Sequence, residues 1–153
     1  MVVLDTDVLL LAFAFQRDDR QKTNTAFLNK IQVENPAITV YSLMEILGQL
    51  SFNLSPERLS AWQLWLVNAY HLTIIWPVNP ESPTSGLSFK AEIFDRPFER
   101  MRTRRAAFMD TLILNLAERT PDVDAFITWN ARHFKEKSSL KVLTPQEFLE
   151  QNQ

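Results

Sequence analysis

The chain has 153 residues, 46% of them hydrophobic and 22% charged, which suits one folded domain with a sizeable core. With no Cys, only Gly48 and Gly86, and only His71 and His133, it has no disulfide framework, thiolate zinc site, cysteine nucleophile, H-E-x-x-H pair or glycine-rich phosphate loop. The formal charge of -2 removes a global basic footprint, so any nucleic-acid binding must come from a local patch.

Val2 to Leu4 is a β-branched apolar run that predicts a buried strand ending at Asp5. Asp5 and Asp7 interrupt the apolar start, so it does not read as a signal peptide. A helical run begins at Val8, and a second, with Ala26, Phe27 and Ile31 at helical spacing, stops at Asn35-Pro36. Ala37 to Val40 predicts a second strand. Ser42-Leu43-Met44-Glu45 has capping-box form and predicts a helix from there to about Phe52. Ser55-Pro56-Glu57 opens another, with Leu59, Trp62, Leu66 and Ala69 repeating at three and four.

Leu72 to Trp76 predicts a third strand, closed by Pro77. Residues 77–98 hold four of the eight prolines and are expected to be a long loop with at most a short helix. One helix is expected from about Arg100 to Arg119, then a strand at Ala125 to Thr128 and a weaker one at Val142-Leu143. Thr144-Pro145-Gln146-Glu147 is a second capping box before a final short helix. Strands alternating with helices predict one α/β domain over 1–153, a three-layer α/β/α sandwich on a short, mostly parallel sheet. No apolar stretch is long enough to span a membrane, and a cytoplasmic location is expected.

In open parallel sheets, ligands bind outside the carboxyl ends of the strands. Asp5 follows the first strand, Asn130 follows the fourth, and Glu45 lies early in the helix after the second. Asp110 is expected mid-helix on an apolar stripe with Ala106, Ile113, Leu114 and Ala117, where a carboxylate needs a partner. It either pairs with Arg104 or Arg105 or lines a functional pocket. Each acid also has an ordinary reading: Asp5 and Asp7 as helix caps, Glu45 as the capping-box partner of Ser42, Asn130 as a turn residue. His133 lies beside the acids with no evident partner, and Trp129 is expected to pack, although a base could stack on it.

Four segments in order, LDTDVLLLAF, SLMEIL, FMDTLILNLAE and DAFITWNARHF, resemble the PIN domain, a metal-dependent nuclease fold, over nearly the whole chain. The resemblance implies that Asp5, Glu45 and Asp110 hold Mg²⁺ or Mn²⁺, that Asn130 assists, and that Thr128 orients a water or ligand. Hard divalent cations take oxygen ligands, lower the pKa of bound water and neutralise charge on a phosphodiester. Clustered acids repel one another without metal, so such a site is expected to be perturbed.

Two positions depart from the family pattern. Asp7 stands where Asn or Thr is usual, and either joins the site or caps the first helix. Asn130 is a neutral amide where many relatives carry Asp, which weakens cation binding.

Arg96, Arg100, Arg102, Arg104 and Arg105 precede Asp110. This basic run is either a solvated face or an RNA-backbone grip, with Arg100, Arg104 and Arg105 as the contacts. Small PIN proteins of the VapC type are toxins of toxin–antitoxin pairs. The resemblance therefore implies a ribonuclease with an RNA substrate, a small antitoxin partner and a homodimeric state. The alternative, motivated by Asn130, is a non-catalytic nucleic-acid-binding or protein-interaction module on the same fold.

Overall fold

The computed structural model describes residues 1–15, 17–77 and 86–152. Five short strands form one sheet: β1 (Val2–Leu4), β2 (Pro36–Thr39), β3 (Thr73–Ile75), β4 (Ala125–Ile127) and β5 (Lys141–Leu143). Their order is β3-β2-β1-β4-β5, and every neighbouring pair is parallel. Register sets Leu4 beside Ile127 and Thr39 beside Ile75, so the strands end along one edge. The chain leaves β1 towards β2 on one side, and β4 docks on the other. That reversal opens a crevice at the carboxyl ends of β1 and β4.

Helices cover both faces. On one side lie α1 (Thr6–Ala14), α2 (Gln21–Ile31), α3 (Val40–Ser51), α4 (Pro56–Tyr70) and α9 (Pro145–Gln151). They pack Leu9, Phe27, Ile46, Leu66 and Phe148 on Val2, Leu4, Ile38 and Ile127. On the other side α7 (Phe108–Arg119) and α8 (Ala131–Phe134) pack Ile113, Leu114, Ala117 and Phe134 on Val3, Ala37 and Phe126. Val2 and Leu4 face one core and Val3 the other, as the two-residue strand period requires. Both faces of the sheet are covered, which explains the unbroken apolar runs. The expected three-layer α/β/α architecture is present. No helix among the described residues is long and apolar enough to cross a membrane.

Four local expectations need correction. Helix α3 starts at Val40 and not at Ser42, because Thr39 is its cap: the Thr39 hydroxyl accepts from the Ser42 N–H at 3.0 Å. Thr39 and Ser42 are both fully buried, so the earlier hydroxyl meets the helix end and Ser42 is drawn into the first turn. The 42–45 capping box therefore does not form. Secondly, residues 86–104 are helical. They comprise α5 (Gly86–Lys90), a wide turn at Ala91–Asp95 and α6 (Arg96–Arg104); residues 78–85 of the expected loop lie outside those described.

Thirdly, the expected 100–119 helix is two helices. Arg105 ends α6 in the left-handed conformation at φ 49°, its N–H returning to the Met101 carbonyl, and α7 begins anew at Phe108 after an extended Ala107. Asp110 is thus in a first helical turn, where the helix dipole favours a carboxylate, and not mid-helix. Lastly, β2 and β3 are each slightly displaced or shorter than expected. The Thr144–Glu147 capping box does form, with reciprocal bonds of 2.7 and 3.1 Å.

Candidate active site

The carboxyl ends of β1 and β4 bring Asp5, Thr6, Asp7, Thr128, Trp129 and Asn130 together. Asp5 caps α1: its Oδ1 accepts from the Thr6 N–H at 2.8 Å. Cap geometry and the end of a buried strand force this carboxylate inward, and it is only 7% exposed. Burial, first, and then the negative charge of Asp7 push the Asp5 carboxyl up to about 8. Bonds from Thr128 and Thr6 oppose this, and Asp110 adds to it. Asp5, Asp7 and Asp110 are therefore close enough to share a field.

Asp7 accepts three bonds from the end of β4. The Thr128 hydroxyl reaches its Oδ2 at 3.0 Å, the Trp129 N–H its Oδ1 at 3.2 Å, and the Asn130 N–H its Oδ2 at 3.2 Å. Burial raises the Asp7 carboxyl, and these bonds and the charge of Arg20 oppose the rise. Of the two readings of Asp7, capping belongs to Asp5, and Asp7 clasps the β4 end. Buried Thr128 ties Asp7 to Asn130, since its hydroxyl also accepts the Asn130 N–H at 3.0 Å. Asn130 itself is exposed and leads into α8.

Glu45 comes from α3, half-buried, and its Oε2 accepts the Thr6 hydroxyl at 2.7 Å. Its partner is thus the residue after Asp5, 39 positions away, and not Ser42. Asp110 pairs with neither Arg104 nor Arg105 among the described residues; its Oδ2 lies 3.2 Å from His133 Nε2. This corrects the expectation that His133 has no partner. Lys137 Nζ lies 2.8 Å from the same imidazole nitrogen.

The acids Asp5, Asp7, Glu45 and Asp110, with Asn130 and Thr128, offer side-chain oxygens, the donors that suit a hard divalent cation, and His133 and Lys137 bring nitrogen beside Asp110. Burial and the charge of Asp7 disfavour the charged form of Asp5, and a cation held there would favour it. Among the described residues, though, no three acidic or histidine side chains stand as a finished metal cage. Asp110 is turned to His133 and Glu45 to Thr6, so the set is gathered but not closed.

The three arginines proposed for RNA are placed differently from one another. Arg100 is mostly buried and pairs with Glu118. Arg104 is exposed, with Nη1 3.4 Å from the Glu136 carbonyl, and Arg105 is exposed at the end of α6. Thr6, Asn24 and Arg20 were not legible as neighbours of the acids, and His133 was legible as a neighbour but not as the partner of Asp110. Asn24 is fully buried mid-helix; its amide donates to the Val8 carbonyl at 2.9 Å and its oxygen accepts the Trp129 indole N–H at 2.8 Å. A polar residue on the core face of α2 was the one available signal.

No protein-family model and no curated relative matches the sequence. Solved structures do match across nearly the whole chain. VapBC2 from Rickettsia felis, bound to a DNA fragment from their promoter, aligns at 18% identity and TM-score 0.64, covering 94% of this chain and 98% of that one. FitAcB from Neisseria gonorrhoeae aligns at 16% and 0.63, covering 95% and 99%. FitAB bound to an IR36 DNA fragment aligns at 15% and 0.61, covering 95% of each. Likeness at these identities speaks for architecture, and together with the parallel sheet and its two helical layers it gives this chain a PIN-like α/β/α fold.

Proposed function

We propose that the protein is a Mg²⁺- or Mn²⁺-dependent endoribonuclease that hydrolyses phosphodiester bonds of RNA. The observation that supports this most is the placement of buried Asp5 and Asp7 at the carboxyl ends of β1 and β4, with Glu45 tied to them through Thr6 and Asp110 near enough to act on Asp5. Asp5, Glu45 and Asp110 would hold the cation, Asn130 would assist, and Asp7 would support the set through its bonds to the end of β4. The bound cation would supply an activated water and neutralise charge building on the phosphate.

The chain's own residues then have defined tasks. The Thr6 N–H and hydroxyl orient Asp5 and Glu45. Thr128 holds Asp7 and the Asn130 backbone in register. His133 steadies Asp110 through its Nε2. Arg104 and Arg105 offer exposed positive charge for the strand.

The neighbours named as VapBC2, FitAcB and FitAB support a toxin with a small antitoxin partner, and the same proposal makes it a cytoplasmic homodimer. The test is degradation of single-stranded RNA by the purified protein with Mn²⁺, against a chelator control and Asp5→Asn. Loss of cleavage in both controls is expected. Cleavage that persists in both overturns the mechanism. RNA binding without any cleavage favours the non-catalytic alternative that Asn130 suggests.

A further inference from the structure

A second feature reaches the acids from outside. The Arg20 guanidinium lies over the Trp129 indole, its carbon 5.5 Å from the ring centroid. Asp18 latches it, accepting from Nε at 2.8 Å and Nη2 at 2.7 Å. The indole below is fixed in turn by buried Asn24, and the Trp129 N–H is bonded to Asp7. A rigid path therefore runs from Arg20 through Trp129 to the acidic crevice.

The latch uses two of the three guanidinium nitrogens. Nη1 has no hydrogen-bond partner among the described residues, and the Arg20 side chain is 50% exposed. Arg100, by contrast, is committed to Glu118, and Arg104 reaches the Glu136 carbonyl. An acidic crevice repels a polyanion, so a strand that enters it needs a fixed cation at the rim. A guanidinium whose plane is already held loses little freedom on bonding a phosphate oxygen.

We propose that Arg20 grips a backbone phosphate of the RNA strand at the rim of the acidic crevice, with Trp129 as its platform and Asp18 as its latch. This rests on the nuclease reading above. Arg20 is a positioning residue: it sets where the strand lies and leaves the bond-breaking to the acids.

The test is anisotropy of a short labelled oligouridine titrated with full-length protein across a salt series. Every protein carries Asp5→Asn, so the strand stays whole. Arg20→Ala should weaken binding about tenfold at low salt and lower the slope of log affinity on log salt by about 0.7, the signature of one lost phosphate contact on a single strand. Arg20→Lys should keep the slope. Arg20→Gln, which can still lie on the indole and bond Asp18, should lose it as the Ala variant does, and it serves if Arg20→Ala fails to fold. An unchanged slope in the Gln variant, or no binding by the Arg20 protein, overturns the grip. Absence of cleavage by the unsubstituted protein strikes the nuclease reading alone.

Discussion

Two carboxylates in this fold are equally hidden and oppositely served. Glu92 and Asp5 are each 7% exposed. Glu92 meets the guanidinium groups of Arg119 and Arg96 and the hydroxyl of Tyr41. Asp5 meets the Thr6 N–H and Thr128, and its charged neighbours are Asp7 and Asp110. Burial costs both, but only Glu92 recovers that cost inside the chain. The Glu92 cluster is complete and holds helices together. The groups that act most on Asp5 include no cation, although Arg20 acts on Asp7, and Asp5 suits a cation from outside. Glu118 belongs with Glu92, since Arg100, Ser138 and the Ser139 N–H all serve it.

Substitutions can break this contrast. The largest expected effect is on activity: Asp5→Asn or Asp110→Asn should reduce Mn²⁺-dependent RNA cleavage to background, well beyond the ~100-fold that loss of a supporting contact costs. Circular dichroism should show both variants folded. Glu92→Ala should act the other way, on stability, costing about 3 kcal/mol in urea unfolding because Arg119 and Arg96 lose their buried partner.

The third effect concerns pH. The folded chain holds a proton on Asp5 that the unfolded chain has released, so this group's stabilisation is complete below about 3.8 and lost as pH rises through about 8. With chelator present, Asp5→Asn should therefore gain stability relative to the unsubstituted protein as pH rises from 5 to 8.5. Equal pH profiles for the two proteins would remove the contrast with Glu92. The smallest effect lies far from both clusters: Thr144→Ala should cost about 1 kcal/mol through the α9 cap, without changing cleavage.

Much of this frame is legible along the chain, and the failures share a cause. Val2 to Leu4 reads as a buried strand because an unbroken apolar run has no other use at that length. Thr144 to Glu147 reads as a cap because both partners lie within four residues. Ser42 and Glu45 offer the same pattern, yet Thr39 takes the cap and Thr6 takes Glu45. The break between α6 and α7 has no Gly or Pro to announce it; Arg105 takes the left-handed turn between two helices that pack on each other.

Periodicity, caps and strand ends by themselves determined the alternation of strands and helices, the parallel sheet, and the position of Asp5 and Asn130 at its carboxyl edge. These are local properties, carried by residues within a turn or two of one another. Only the tertiary structure decided who partners whom. Thr6 with Glu45, Asp7 with the Thr128 to Asn130 turn, Asp110 with His133 and Arg20 with Trp129 join positions from 23 to 123 residues apart. A side chain's partner is chosen by which groups the packed sheet and helices leave within hydrogen-bond reach, and sequence spacing carries no record of that distance.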